Sequence, residues 1–349
     1  MSGRTKRPAM GNAMGNAMGD AASSRVRRKK KALGHTAGSR IPHASRRKSS
    51  GWPAALATAK ARLVAAGTEG SEAESQLRWL AAHLLRCGLL DVDLRWDEAA
   101  GAGLPGTISF GESWSAGVAR LERGEPVQYV IGETDFMGLR FFCDAWALIP
   151  RPETELVVEA AEAFAREAIA AGGTWPRPLP VLDVCTGSGC IACSLAARLG
   201  PAVAVAASDI SADALALARK NAAALDVAVA FRKADLFEGV APASVALVTA
   251  NPPYVSSADC ARLPRNVRDW EPRLALDGGA GGMEVISRLV AGAADVLLSG
   301  GRLVMEIGED QGPAVRELLC QERTTMRMLE LRRDFAGRDR AVVAERLPR

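Results

Sequence analysis

The 349-residue sequence lacks several features that mark broad classes of protein. It has no apolar run of the roughly 18–20 residues that a membrane-spanning helix needs, and its N-terminus shows no secretory signal pattern. Its seven cysteines are not spaced as a disulfide framework, so we expect free thiols in a reducing compartment. The sequence therefore predicts a cytoplasmic protein, and its length is sufficient for two domains.

Histidine is scarce, and its three copies all precede residue 84: His35, His43 and His83. The rest of the chain therefore has no histidine to act as a general base or to join a histidine-rich metal site. We predict no metal centre there. Chemistry in that region must depend on other side chains or on the main chain.

Acidic residues are nearly absent from residues 1–50, which contain thirteen Lys or Arg and a single acid, Asp20. The remainder holds 31 basic and 39 acidic residues, so the body of the protein is acidic and is a poor candidate for gripping nucleic acid. A small tandem repeat and the lack of large apolar side chains predict a disordered tail. Three interpretations of the tail remain open: a solubilising extension or an early start codon, an organelle transit peptide, or a segment in weak contact with RNA.

Apolar residues at helical spacing dominate residues 51–123, as with Leu77, Leu80 and Leu84. We predict a small helical domain without chemistry of its own. Residues 124–150 are rich in β-branched and aromatic side chains around a Gly-Glu-Thr turn. This composition, strongest over residues 126–149, predicts a β-hairpin that links two domains.

Short apolar strands alternate with amphipathic helices within residues 151–349. The strand candidates are 180–185, 202–209, 227–235, 245–251 and 302–308. This alternation is typical of an α/β domain with a doubly wound, mostly parallel sheet covered by helices on both faces. Two further candidates, 326–335 and 340–346, are expected to finish the sheet as an antiparallel edge pair.

A glycine turn of sequence Thr-Gly-Ser-Gly, residues 186–189, follows the first of these strands and precedes a helix. Glycines there allow a sharp turn and leave room for a ligand against the main chain. Asp209 ends the second strand, where a carboxylate can accept both ribose hydroxyls of a nucleoside cofactor, and Asp235 ends the third, near the expected base. The pattern at 187–192 also fits the G-x-G-x-x-A motif of an NAD site, so a dehydrogenase remains an alternative.

Cys185, Cys190 and Cys193 have the C-x4-C-x2-C spacing of a plant-type iron–sulfur site. They lie, however, in a predicted strand–turn–helix. We therefore interpret them as small buried hydrophobic residues rather than as cluster ligands.

The fourth strand ends in Asn251-Pro252-Pro253-Tyr254, an NPPY motif. If the sheet changes direction between its first and fourth strands, this corner and the glycine turn face one crevice. The Asn251 side chain and the Pro252 carbonyl offer two oxygen acceptors that proline rigidity can fix. Two such acceptors can hold a planar –NH2 group by its hydrogens, and Tyr254 can pack against the flat group that carries it.

An amide or aryl –NH2 group is a poor nucleophile because its lone pair is delocalised. The main aids available are orientation of the nitrogen and stabilisation of the positive charge that develops during attack. Transfer of a carbon electrophile needs no strong base, so the pattern favours methyl transfer from S-adenosylmethionine. A purely structural Asn-Pro-Pro corner is the alternative.

The sequence resembles the glutamine-specific protein methyltransferases that modify class 1 peptide chain release factors. Besides NPPY, the matching stretches are "GEPVQYVIGETDFMGLRF" (124–141), "LIPRPETELVVE" (148–159), "EPRLALDGGAGGMEVISRLV" (271–290), "LVMEIGEDQG" (303–312) and "FAGRDRAVVAER" (335–346). The similarity covers about residues 72–346. It implies a class I S-adenosylmethionine-dependent methyltransferase fold behind a helical domain that contacts the release factor.

The resemblance also implies that the NPPY motif holds the glutamine of a Gly-Gly-Gln loop, whose side-chain amide nitrogen is methylated. The predicted substrate-binding residues are Asn251, Pro252, Pro253 and Tyr254, of which Asn251, Pro252 and Tyr254 are predicted to be catalytic. The predicted cofactor site comprises Cys185, Thr186, Gly187, Ser188, Gly189, Asp209, Asp235, Leu236 and Asn251. Two of these positions depart from the family, since Cys185 stands where glycine is usual and Leu236 where some members carry an aromatic residue. We expect a monomer with no membrane partner.

Two other functions share parts of this pattern. A sister family methylates a glutamine of a large-subunit ribosomal protein and shares NPPY, but it usually differs after the Pro-Arg of the linker, where residues 152–155 match the release-factor type. Adenine methyltransferases of DNA or RNA also use Asn-Pro-Pro-Tyr, because an adenine amine poses the same geometric problem. The acidic body and the lack of an obvious target-recognition insert disfavour them. A non-catalytic RNA-binding adaptor that uses residues 1–50 is a further alternative.

Overall fold

The computed structural model describes residues 51–101, 109–172, 175–320 and 325–348, so the tail predicted at residues 1–50 lies outside these ranges. The N-terminal helices are α1 (Trp52–Ala65), α2 (Gly70–Leu85), α3 (Val92–Gly101), α4 (Phe110–Glu122) and α5 (Val127–Ile131). None of the helices in the described ranges combines the length and the apolar character that a membrane span requires.

A shared apolar core holds α1, α2 and α4 together. Leu77 and Leu80, which the helical spacing marks as core residues, are buried with Leu63 of α1 and Leu121 of α4. Gly117 lets α2 and α4 approach closely, because a Cβ atom at that position would lie 2.7 Å from a methyl carbon of Leu80. Local helix periodicity is therefore sufficient to explain this part of the fold.

The linker is a short hairpin preceded by a helical turn. Gly132, at φ +81°, ends α5, and two antiparallel strands follow: β1 (Glu133–Phe136) and β2 (Leu139–Phe142). The hairpin predicted at residues 126–149 is therefore longer than the observed one, because its first residues form α5 and those after β2 form no strand. The latter residues lie along the second domain, and the Tyr129 hydroxyl donates a hydrogen bond to the Ala147 carbonyl at 3.0 Å.

The predicted strands of the second domain are all present. They are β3 (Leu179–Val184), β4 (Val203–Asp209), β5 (Val229–Lys233), β6 (Val245–Ala250), β7 (Leu297–Glu306), β8 (Met326–Arg333) and β9 (Asp339–Arg346). The helices are α6 (Glu155–Ala171), α7 (Cys190–Leu199), α8 (Ala212–Ala224), α9 (Arg265–Arg268), α10 (Glu284–Val296) and α11 (Gly312–Leu319). β7 begins earlier than predicted, because α10 ends immediately before it.

The strand order of the sheet is β5-β4-β3-β6-β7-β9-β8. The strands from β5 to β7 are parallel, whereas β9 is antiparallel to both β7 and β8. The chain moves outward from β3 to β5 on one side and returns to β6 on the other, so the order reverses between β3 and β6. This confirms the predicted doubly wound sheet, and it brings the carboxyl ends of β3 and β6 to one crevice.

Helices cover both faces of the sheet, and alternate residues of β3 show this directly. Val181 belongs to one apolar cluster with Phe164 of α6 and Leu195 of α7. Its neighbour Leu182 belongs to another cluster with Leu289 of α10. Burial of each large side chain contributes about 1.5–3 kcal/mol, so both layers hold the sheet firmly. The loops at its carboxyl edge are therefore attached to a stable frame.

Candidate active site

A cavity of about 350 Å³ opens at the carboxyl ends of β3, β4 and β6. This is the position where open α/β sheets bind ligands, and the volume is in the range of small-molecule sites. The predicted site residues on its wall are Cys185, Thr186, Gly187, Ser188, Asp209, Asp235, Leu236, Asn251 and Pro253. Gly189, Pro252 and Tyr254 are absent from this wall. The sheet thus gathers most of the predicted residues around one space.

The glycine turn after β3 is shaped by packing as well as by the cavity. Gly187 and Gly189 have φ values of +54° and +80°, a backbone region that favours glycine. A Cβ atom on Gly189 would lie 3.0 Å from the Cβ of Ala218 in α8. Gly189 therefore allows α7 to approach α8 closely, which explains its place behind the cavity wall.

Asp209, at the end of β4, fixes the cavity-facing loops with its carboxylate. Its Oδ2 accepts a hydrogen bond from the Gly187 amide at 2.9 Å, and its Oδ1 accepts one from the Ser211 amide at 2.8 Å. Each carboxylate oxygen has a second lone pair, so Asp209 can also accept two hydroxyl hydrogens from a ligand. Burial raises the pKa of Asp209, and the backbone donors oppose that rise.

Asp235 and Leu236 lie beside each other on the opposite part of the wall. Arg288 of α10 donates a hydrogen bond to Asp235 at 2.7 Å, so the position of this carboxylate is set by an ion pair. Leu236 presents an apolar side chain to the cavity. Its backbone φ angle is +50°, and that of Cys185 is +56°. The wall therefore combines a carboxylate that can accept hydroxyl hydrogens (Asp209), an apolar side chain (Leu236) and an acid in an ion pair (Asp235). These features suit the ribose and the base of a nucleoside.

Cys190 and Cys193 belong to α7 and are buried in an apolar cluster, and Cys190 also borders the cavity. Burial raises the pKa of the Cys193 thiol to about 12. Their environment is that of small hydrophobic core residues.

Asp183 braces the two loops that face the cavity, and the sequence had not singled it out. This fully buried residue of β3 accepts hydrogen bonds from Thr186 Oγ1 at 2.5 Å and from Thr249 Oγ1 at 2.7 Å. Thr186 belongs to the glycine turn, and Thr249 precedes the NPPY motif in β6. Burial raises the pKa of Asp183 to about 7, whereas the two hydroxyl donors lower it.

We predict that Asp183→Ala destabilises the fold, because it leaves two buried hydroxyls without their acceptor. The expected loss is about 3 kcal/mol or more, which corresponds to a fall in Tm of roughly 10 °C for a domain of this size. Thermal unfolding measured by calorimetry tests this, with the exposed Asp310→Ala as the matched control. A Tm within about 2 °C of the wild type would contradict the role given to Asp183.

Asn251 of the NPPY motif has its side-chain nitrogen engaged and its side-chain oxygen available. Its Nδ2 donates a hydrogen bond to Thr154 Oγ1 at 3.1 Å. In the described part of the chain no donor reaches Asn251 Oδ1 or the main-chain carbonyl of Pro252. The corner therefore has two oxygen acceptors that no described residue uses.

Tyr254 turns away from the cavity and toward β7. Its hydroxyl donates a hydrogen bond to Glu306 Oε1 at 3.0 Å, and Thr154 Oγ1 donates to Glu306 Oε2 at 2.5 Å. Glu306 is only 1% exposed, and burial raises its pKa while the two hydroxyl donors lower it. Thr154 and Glu306 are therefore residues that sequence reasoning missed, although an acid inside an apolar strand is a visible signal.

A glycine-rich segment that matched the family, residues 277–282, packs against the backbone of the NPPY corner. A Cβ atom on Gly278 would lie 2.4 Å from the Pro253 carbonyl oxygen, and one on Gly282 would lie 2.0 Å from that of Tyr254. Only residues without a side chain can approach the corner so closely. The glycine-rich segment thus supports the NPPY corner by close packing against its main chain.

Two large apolar side chains, Trp146 and Leu274, line the same cavity yet remain 57% and 58% exposed. They lie in the linker and in the segment after α9, far apart in the sequence. Exposed apolar side chains beside a cavity are suited to contact with a ligand or a substrate. Sequence analysis gave neither of them a role.

Two family profiles match the chain: "PrmC N-terminal domain" over residues 54–132 and "Methyltransferase small domain" over residues 176–263. Three similar proteins carry the name "Release factor glutamine methyltransferase". The one from Cereibacter sphaeroides is 39% identical over 298 residues and covers 84% of this chain and 98% of its own. Those from Moorella thermoacetica (39% over 296 residues; 84% and 97% covered) and Nitratidesulfovibrio vulgaris (37% over 294 residues; 83% and 94% covered) are comparable. By its sequence over nearly its whole length beyond the tail, the chain belongs to the release factor glutamine methyltransferase family.

Proposed function

We propose that the protein transfers a methyl group from S-adenosylmethionine to the side-chain amide nitrogen of the glutamine in the Gly-Gly-Gln loop of class 1 release factors. The observation that carries this proposal is a pair of oxygen acceptors that no described residue uses: Asn251 Oδ1, on a residue of the cavity wall, and the carbonyl of the adjoining Pro252. Family membership supports the same reaction.

S-adenosylmethionine is the cofactor, and it supplies a methyl group bonded to a positively charged sulfur. The protein must bring a weakly nucleophilic amide nitrogen to that group. We assign to Asn251 and Pro252 the binding of the two amide hydrogens of glutamine, which orients the nitrogen toward the cavity. Positive charge develops on the nitrogen as its bond to the methyl carbon forms and the bond from that carbon to sulfur breaks, and both carbonyl dipoles stabilise this charge. Loss of one N–H proton to water would then give the neutral N-methyl amide and S-adenosylhomocysteine.

The cofactor-binding role is assigned to the residues that line the cavity. Asp209 would accept the ribose hydroxyls through its free lone pairs. Asp235 and Leu236 would border the base, and the turn from Cys185 to Gly189 would face the methionine part. Gly189 acts there indirectly, through the packing of α7 against α8.

We assign docking of the release factor to the helical domain formed by α1 to α5. A groove beside this domain is bordered by Trp79, Gln128 and Asn266, and Trp79 is 41% exposed. The domain boundaries that we adopt are 51–123, 124–150 and 151–349. We further propose that the enzyme acts as a monomer in the cytoplasm, where its free thiols would be maintained.

Methyl transfer can be tested directly with labelled S-adenosylmethionine and an unmodified release factor. We expect one methyl group on the loop glutamine, located by mass spectrometry, and none on a release factor in which this glutamine is replaced by alanine. Parallel reactions should contain ribosomal proteins, DNA and RNA. Label on one of those instead, or on another residue of the release factor, would reject the assignment.

The basic tail is not required in this account. We expect deletion of residues 1–50 to leave the rate of methyl transfer to a release factor near that of the full chain, because the matched family profiles begin only at residue 54. Initial rates of the two proteins at equal concentration test this. Loss of activity on deletion would favour an RNA-binding or adaptor role for the tail.

A further inference from the structure

A line of hydrogen bonds joins the NPPY corner to the buried end of β7. Asn251 Nδ2 donates to Thr154 Oγ1 at 3.1 Å, and Thr154 Oγ1 donates to Glu306 at 2.5 Å. Tyr254 donates to the other carboxylate oxygen of Glu306 at 3.0 Å. Thr154 and Glu306 are each 1% exposed, so water does not compete for these bonds.

The direction of each hydrogen bond in this line follows from the groups involved. Both oxygens of Glu306 accept a hydrogen bond, one from Tyr254 and one from Thr154, so the Thr154 hydroxyl donates its single hydrogen to the acid. The Thr154 oxygen can then only accept on its other side. Asn251 must therefore present its –NH2 group to Thr154, and its carbonyl oxygen must point the opposite way.

The Thr154 hydroxyl is available to bond to Glu306 because it makes no local hydrogen bond to its own helix. Thr154 is the last residue of the turn at residues 152–154 and directly precedes α6, and its hydroxyl makes no helix-capping hydrogen bond. Glu306 is the last residue of β7, and its neighbour Met305 pairs in register with Ala250, the residue before Asn251. The sheet thus places the acid beside the corner.

We propose that Thr154 and Glu306 are positioning residues that lock the Asn251 amide with its oxygen toward the acceptor glutamine. The inference rests on the proposed function. The oxygen and the nitrogen of the Asn251 amide have nearly the same size, and the line of hydrogen bonds explains why the oxygen, which accepts hydrogen bonds, faces the substrate. If the amide turned over, its –NH2 group would face the –NH2 group of glutamine, and two donors would meet. Neither residue needs to touch the substrate to act in this way.

Shape-conserving variants separate positioning from folding. Thr154→Val removes the hydroxyl but keeps the branched side chain, and Thr154→Ser keeps the hydroxyl. We expect Thr154→Val to lower kcat about tenfold, with little change in KM for the release factor or in Kd for S-adenosylmethionine. Thr154→Ser should restore most of the rate. The exposed Thr58→Val, whose hydroxyl bonds only to its own helix, is the matched control.

Glu306→Gln supplies an independent variant of the same size. Its amide can donate to Thr154, so the hydroxyl need no longer donate toward the acid and the direction of the line is lost. We expect a fall in kcat similar to that of Thr154→Val. Melting temperatures measured alongside show whether each variant is folded at the assay temperature.

A double-mutant cycle decides whether Thr154 acts through Asn251. If it does, Asn251→Ala combined with Thr154→Val is no slower than Asn251→Ala alone. Multiplied losses, an unchanged kcat in Thr154→Val, or a change in KM alone would each overturn the inference. Crystal structures of the Thr154 variants give a reading that does not depend on methyl transfer. Asn251 should turn in Thr154→Val and remain in place in Thr154→Ser, whereas a wild-type enzyme that labels no release factor would refute the proposed function instead.

Discussion

Replacement of Asn251 by alanine should reduce turnover on the order of 100-fold or more, while the affinity for S-adenosylmethionine remains nearly unchanged. In the proposed mechanism the side chain contributes one of two acceptors that orient the substrate nitrogen, and misplacement of a reacting group has effects of this size. The contacts that we assign to the cofactor, with Asp209 and the glycine turn, remain in the variant. Steady-state kinetics with a release factor and calorimetric titration with the cofactor measure the two quantities separately.

Ser244→Ala is the matched control for this experiment. Ser244 stands just before the other end of β6, where its hydroxyl donates to the Ala241 carbonyl at 2.6 Å, and its loss should leave kcat as it is. If Asn251→Ala keeps the wild-type turnover, the substrate nitrogen is not held by this side chain. If it instead abolishes cofactor binding, Asn251 belongs mainly to the cofactor site.

Asp209→Ala should have the opposite profile, with a large loss of cofactor affinity. Removal of two charge-assisted hydrogen bonds costs about 3 kcal/mol, which raises Kd about 100-fold. The variant also removes the acceptor for the amides of Gly187 and Ser211, so the glycine turn should loosen. Calorimetric titration with S-adenosylmethionine measures the effect, and kcat at saturating cofactor should fall much less.

Asp209→Asn refines this prediction because it keeps one acceptor oxygen. We expect its Kd to lie between those of the wild type and Asp209→Ala. The exposed Asp93→Ala, which removes an ion pair with Arg78 in the helical domain, should bind the cofactor normally. Normal affinity in Asp209→Ala would mean that the ribose lies elsewhere in the cavity.

The sequence was sufficient to predict that the glycine turn, Asp209 and Asn251 lie around one cavity, because strand ends follow a simple rule. The glycine turn, Asp209 and Asn251 each come directly after an apolar strand, and parallel strands bring their carboxyl ends to one edge. Only the reversal of order between β3 and β6 was needed to bring them together. The observed strand order supplies it.

The residues that hold the site in shape could not be predicted in the same way. Thr154 lies in the linker turn, Glu306 ends a strand late in the chain, and their hydrogen bonds to the corner exist only after the domain has packed. What the sequence does display is an acid inside an apolar strand, at Asp183 and at Glu306. A buried acid needs hydrogen-bond partners, so an acid inside an apolar strand indicates that donors from other elements pack against it.

Two departures from the family pattern also acquire a physical meaning. Cys185 and Leu236 both adopt positive φ angles, +56° and +50°, where an L-residue costs roughly 1–2 kcal/mol. Glycine would avoid this cost at position 185, which explains why a glycine suits the turn. Both residues line the cavity, so their side chains also shape its inner surface.

In the proposed reaction, a rigid corner of carbonyl oxygens presents the amide nitrogen of glutamine to the methyl donor. A crystal structure of the enzyme with a release factor and S-adenosylhomocysteine would show whether this contact forms. We predict that the two amide hydrogens of the loop glutamine point at Asn251 Oδ1 and at the Pro252 carbonyl, with the nitrogen facing the sulfur atom. A complex in which the Asn251 oxygen points away from the glutamine would contradict the account.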